Sequence, residues 1–151
     1  MKKARLAAHS RSQLDERFRE LGPAERYTPP VRGWIKALRE ALGMSTAQLA
    51  KRLGIKQPSL VALEQSEAKG TIELATLRRV SEALDCTVVY ALVPNKPLET
   101  TLRDRARAFG RRRRGPIEHS MLLEDQQVKA KDAEAHLDEI VRETNPRLFW
   151  D

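Results

Sequence analysis

The sequence predicts a mainly α fold: a bundle built round two short helices and a tight turn, with one short β-strand and helical extensions at both ends. Three observations carry this. Apolar residues recur at helical spacing through most of the chain. Glycine interrupts them at one point in the way a tight inter-helix turn requires. One run, Cys86 to Val93 (CTVVYALV), is nearly continuous in apolar and β-branched residues and ends at Pro94.

The centre of the pattern is Ser45 to Gln65, STAQLAKRLGIKQPSLVALEQ. Leu49, Ala50 and Leu53 share one face of a first helix. Ser45 caps it by accepting a backbone N–H. Gly54 stands where a helix ends in the left-handed region, and Ile55 plugs the turn. A second helix opens at Gln57. Pro58 lies in its first turn, where a missing N–H costs nothing. Leu60, Val61 and Leu63–Glu64 set its buried side. Ala50 is small enough to let the two helices cross closely. This is the pattern of a helix-turn-helix, whose second helix enters the DNA major groove. Any helical hairpin shares its outline, so the flanking residues decide.

Length bounds the rest. At 151 residues, one domain with extensions is expected: an arm and linker over 1–30, a core domain over 31–94, and a basic then acidic extension over 95–151. Apolar residues make up 40% and aromatics 5%, so the core is aliphatic. The single cysteine, Cys86, excludes an internal disulfide and a cysteine-based metal site, and suits a reducing cytoplasm. No run is long enough to span a membrane, and no apolar segment of signal-peptide type follows Leu6–Ala7–Ala8.

The net charge of +7 is unevenly spread. Residues 99–114 hold seven arginines against two carboxylates, whereas residues 115–151 hold four basic residues against nine acidic ones. The first stretch suits phosphate and the second suits a protein surface.

In chain order, Leu14, Phe18 and Leu21 predict an amphipathic helix from about Ser12, stopped by Gly22–Pro23. It either packs on the main domain or serves as a basic arm. Tyr27-Thr-Pro-Pro30 is an extended linker. Val31 to Leu42 is a helix with Trp34, Ile35, Leu38 and Leu42 on one face, Trp34 being a core anchor. Arg32, Lys36, Arg39 and Glu40 mostly face out. Thr71 to Leu84 buries Ile72, Leu74, Leu77, Val80 and Leu84.

The strand needs a partner, because a lone strand leaves its backbone groups unpaired. It either pairs with the same strand of a second copy across a two-fold axis or lies extended on its own helices. Pairing would give a homodimer through residues 86–93 that offers two recognition helices to a palindrome, one DNA turn apart. Leu98 to Phe109 is helical and ends at Gly110, and Arg111 to Arg114 follow as a basic run. That run either enters a minor groove or is simply solvated. Glu118 to Arg142 is an acidic helix, and the Leu148–Phe149–Trp150 cluster either tucks in or docks on another protein.

Candidate DNA contacts follow from these placements. Ser45 and Thr46 sit at a helix N-terminus, where phosphate is favoured. Lys56 and Gln57 open the second helix. Gln57 and Ser59 are placed to reach base edges, since glutamine pairs bidentately with adenine and serine serves either kind of base. Ala62 and Gln65 lie further along the same face, and Lys69 is a phosphate candidate in the loop after it. Catalysis is not expected. His9, His119 and His136 lie in unrelated contexts with no metal-ligand spacing, and no phosphate-binding glycine loop appears. No cofactor or metal is expected.

The run from Trp34 to Leu84 resembles the Cro/repressor-type (Xre-like) helix-turn-helix domain. The matching pieces are Ile35, Leu38 and Arg39, Gly43-Met-Ser45, Gln48-Leu-Ala50, Leu53-Gly-Ile55, Leu63–Glu64, and Leu77 to Leu84. The resemblance supports base reading by Gln57 and assigns Glu64 a structural contact back to the first helices. Pro58 departs from the polar residue often found there. Over almost its whole length the chain also resembles the family called mobile mystery protein A. The residues that carry this are Pro30-Val-Arg-Gly-Trp-Ile35, Leu42-Gly-Met-Ser45, Gly70-Thr-Ile-Glu-Leu74, Cys86 to Pro94, His119 to Gln126, and the closing Leu-Phe-Trp-Asp. That resemblance implies an autoregulatory repressor and antitoxin-like partner of a Fic-domain protein, docked through residues 115–151. The alternative is a stand-alone repressor. Ser120-Met-Leu-Leu-Glu124 fits the inhibitory helix of Fic inhibitors except at the position after the glutamate. The expected location is cytoplasmic and nucleoid-associated.

Overall fold

A computed structural model describes residues 2–114 and 126–151. Residues 24–92 form one compact unit, and the two ends of the chain, 1–23 and 93–151, form another. Seven α-helices run through the described residues: α1 Lys2–Leu21, α2 Trp34–Ala41, α3 Thr46–Leu53, α4 Gln57–Ala68, α5 Leu74–Ala83, α6 Leu98–Arg114 and α7 Gln126–Glu143.

The unit of residues 24–92 is built by α2 to α5 round an aliphatic core. Ile35, Leu49, Ala50, Leu60, Val80 and Leu84 are buried, and Leu38, Met44, Leu53, Ile55, Leu63, Ile72 and Leu77 pack round them. The elements form where the sequence places their signals. Ser45 Oγ accepts the Gln48 N–H at 3.2 Å, and Gln48 Oε1 accepts the Ser45 N–H at 2.8 Å, a reciprocal cap on α3. Gly54 closes α3 at φ 68°, a conformation that costs other L-residues strain. Pro58 lies in the first turn of α4.

The N-terminus of α2 is capped from a distance. The Trp34 and Ile35 N–H groups donate to the Glu67 carboxylate of α4 at 2.7 and 2.9 Å. Gly33, at φ 87°, lets that carboxylate close in, since a Cβ there would meet Glu67 Oε2 at 2.6 Å.

Several expectations change here. Arg39 does not face out: it is 7% exposed and bound to Glu64. Trp34 and Leu42 are 47% and 61% exposed, so neither anchors the core. Ile72 precedes α5 rather than lying on it, although it still packs on the core.

The predicted strand does not form. Residues 86–93 carry no regular structure, and no described segment is a strand. The run has β-strand composition, but no neighbouring edge exists for it to pair with, and an unpaired strand is not stable alone. Cys86 joins the core periphery, whereas Val89 and Leu92 are 86% and 82% exposed.

In the other unit, α1 and α6 are joined through Asp15. Its carboxylate accepts the Leu98 and Glu99 N–H groups at 2.7 and 3.1 Å and so caps α6, while Arg11 Nε donates to Glu99 at 3.0 Å. The helix predicted from Ser12 starts at Lys2. Leu102, Ala106, Leu137 and Phe149 make the core, with Phe109, Ile140 and Val141 at its edge. Phe109 and Phe149 meet edge to face, with centroids 5.4 Å apart. Gly110 does not end α6. It lies within the helix, and a Cβ there would stand 3.2 Å from Ile140 Cδ1, so its role is to admit α7. Phe149 is buried, and Leu148 and Trp150 are 46% and 56% exposed. The Ser120–Glu124 motif lies outside the described residues.

Candidate nucleic-acid interface

α4 has two faces of opposite character. Leu60 and Glu64 are buried and Leu63 and Glu67 are half-buried, so one side belongs to the core. Gln57, Ser59, Val61, Ala62 and Gln65 are exposed, as are Lys56 before the helix and Lys69 after it. Ser59, Ala62 and Gln65 follow one another three residues apart, one strip of an α-helical surface.

One guanidinium fixes this helix. Arg39 Nε and Nη2 donate to the two Glu64 oxygens at 2.6 and 3.2 Å, and Nη1 donates to the Met44 carbonyl at 2.9 Å. A single side chain thus joins α2, the turn before α3, and α4. The hydrogen bond to Glu64 raises the Arg39 pKa above its already high value, against the opposing effect of burial. Glu67, one turn beyond Glu64, adds the α2 cap. The outward strip of α4 is therefore the far side of a helix held by two carboxylates.

The N-terminal ends of α3 and α4 meet through a hydrogen bond that sequence reasoning did not anticipate. Gln57 Nε2 donates to Thr46 Oγ1 at 2.7 Å. This leaves Gln57 with one N–H and its carbonyl oxygen, the pair that a bidentate contact with adenine needs. Thr46 accepts this bond and keeps its own hydroxyl proton for a phosphate. The Ser45 hydroxyl likewise accepts from Gln48 and retains its proton. Thr46 is half-buried and Ser45 exposed.

The surrounding charge is positive. Lys51, Arg52, Lys56 and Lys69 are exposed, and none is held by a carboxylate. On α5, Arg79 is exposed and Arg78 lies over the Tyr90 ring at 5.7 Å. The described residues bring no three His, Cys, Asp or Glu side chains together as a metal site. None of their helices is long and apolar enough to cross a membrane.

All eight candidate residues lie in the unit of residues 24–92. Ser45 and Thr46 sit at the start of α3, Lys56 and Gln57 at the start of α4, Ser59, Ala62 and Gln65 along its outer strip, and Lys69 past its end. Sequence reasoning placed Val61 with the core, but it is 37% exposed and stands among them. The signal was available: Leu60, Leu63, Glu64 and Glu67 already complete a helical face without it. Ser45-x-x-Gln48 was also legible as a reciprocal cap.

Residues 35–90 match the family model described as Helix-turn-helix. That is a DNA-binding domain type, and it supports a DNA-binding transcriptional regulator. No curated protein and no solved structure matches the chain.

Proposed function

We propose that this chain is a sequence-specific repressor of its own promoter, reading duplex DNA through the exposed strip of α4. One observation carries the reading. A helix locked to the core on one side by Glu64 and Glu67 presents Gln57, Ser59, Val61, Ala62 and Gln65 on the other, among cations with no carboxylate partner. In this reading Gln57 and Ser59 address base edges, and Val61 and Ala62 offer apolar contact to thymine methyls. The hydroxyls of Ser45 and Thr46, with Lys56 and Lys69, take phosphates.

The proposed assembly is a homodimer. Val89 and Leu92 stand in solvent on an extended segment with β-strand composition, beside an apolar groove of about 350 Å³ whose walls include Trp34, Leu38, Leu77 and Val88. A second copy of the segment would supply the pairing that the single chain lacks. The antitoxin-like role beside a Fic-domain protein rests on the family resemblance alone. The exposed Leu148 and Trp150 suit such a partner surface.

Footprinting on the DNA upstream of the chain's own gene, with and without the neighbouring gene product, tests the whole reading. A protected palindrome is expected, and absence of any protected site would defeat it. Gln57→Ala should cost about 1–3 kcal/mol on that site and relax its sequence preference. Equal weakening on random DNA would argue against base reading.

A further inference from the structure

Six arginines of α6, from Arg103 to Arg113, divide by what they touch. Arg103 donates to Asp138 and Glu134 of α7 at 2.6 and 3.0 Å. Arg107 donates to Glu134 and to Asp104, both at 3.1 Å. The carboxylates of α7 that face α6 thus neutralise its middle. Arg105 lies over the Trp150 ring at 5.0 Å.

The C-terminal end of α6 is different. Arg111, Arg112 and Arg113 are exposed. Arg112 donates to the Asp151 carbonyl oxygen at 2.9 Å, and Arg113 lies over the Phe109 ring at 5.3 Å. Among the described residues Arg111 makes no ion pair, hydrogen bond or ring contact, and neither Arg111 nor Arg113 has a carboxylate partner. A helix C-terminus favours cations, which accounts for one or two arginines there. It does not account for adjacent guanidiniums left to repel one another while Glu134 and Asp138 of the neighbouring helix pair with Arg103 and Arg107. A polyanion relieves that repulsion, and Arg is the side chain best shaped for phosphate.

The geometry points to a second, sequence-independent DNA contact, in which Arg111 and Arg113 take phosphate oxygens of duplex DNA. It rests on the proposal that the chain binds duplex DNA. It adds that the C-terminal extension contributes affinity without specificity.

The test is the salt dependence of binding by the full chain. A 40-bp duplex carrying the footprinted site and a scrambled duplex of equal length are titrated between 50 and 200 mM KCl. Each phosphate contact contributes about 0.9 to the slope of log affinity against log salt, so Arg111→Ala with Arg113→Ala should flatten it by about 1.8 per bound protomer on both duplexes. Paired Arg→Lys changes keep both charges and should restore the slope. Arg111→Ala alone leaves the Arg113–Phe109 stack in place and should give half the change, so loss of that stack cannot explain the result. An unchanged slope in the alanine pair, with wild-type binding intact, overturns this contact and leaves α4 reading untouched. A loss confined to the specific duplex also overturns it. Failure of the wild type to bind either duplex at 50 mM removes both proposals together.

Discussion

Breaking the Arg39–Glu64 pair from each side separately should give two unequal penalties that collapse when both residues are replaced. Both side chains are about 8% exposed, and Arg39 makes three hydrogen bonds, two of them to Glu64. Glu64→Leu strands a guanidinium that cannot shed its proton, with the Met44 carbonyl as its remaining hydrogen bond and the exposed Glu40 carboxylate 4.0 Å away. The expected loss is about 3–5 kcal/mol. Arg39→Met strands a carboxylate instead. That group loses both of its hydrogen bonds from Arg39, whereas the guanidinium keeps one, so the two penalties differ. The double replacement removes both charges and leaves the Met44 carbonyl one donor short, a cost of about 1 kcal/mol, which apolar packing offsets. The assay is urea unfolding followed by Trp34 fluorescence. A Trp150→Phe background silences the other tryptophan, which lies in the other unit. Additive single penalties would refute the idea that the two charges are buried as one unit.

Other outcomes follow from the same contacts. Gly33→Ala should cost about 2–3 kcal/mol in the same assay, because it strains a φ of 87° and drives Glu67 off the α2 N-terminus. A loss below 0.5 kcal/mol would show that the cap contributes little. Val89→Asp with Leu92→Asp should halve the mass seen by sedimentation and weaken operator binding, and an unchanged mass would count against pairing of residues 86–93. Asp104 is held below the ordinary carboxylate range by its hydrogen bond to Lys96, with Arg107 adding to it. A depressed pKa contributes stability above the ordinary carboxylate value that is lost as pH falls through the folded value. Asp104→Asn should therefore flatten the fall in thermal midpoint below about pH 4, read by Trp150 in a Trp34→Phe background.

What the sequence disclosed depended on the range of the forces involved. The α3 cap, the Gly54 turn and Pro58 at the start of α4 were legible because each is settled within a few residues. Arg39 was misplaced because its partner, Glu64, lies 25 residues on, and a charge read alone belongs in water. Gly110 was read as a helix stop, since glycine is usual there. Its cause is Ile140 of a neighbouring helix, which local pattern cannot show. Residues 86–93 carried a true β-strand composition, but strand formation depends on an edge to pair with, and none is present among the described residues. The four candidates on α4, Gln57, Ser59, Ala62 and Gln65, were legible as exposed because helical periodicity sorts that helix into two sides. The Gln57–Thr46 bond was not, because it joins two helices.

The central claim is that the exposed strip of α4 is where duplex DNA is read. Amide chemical-shift mapping during titration of the full chain with its upstream DNA addresses this most directly. The account predicts the largest shifts at Ser45 and Thr46 and from Lys56 to Gln65, with the side-chain amide of Gln57 gaining a partner beside Thr46. Shifts that leave those residues unmoved while DNA binds elsewhere on the chain would contradict it.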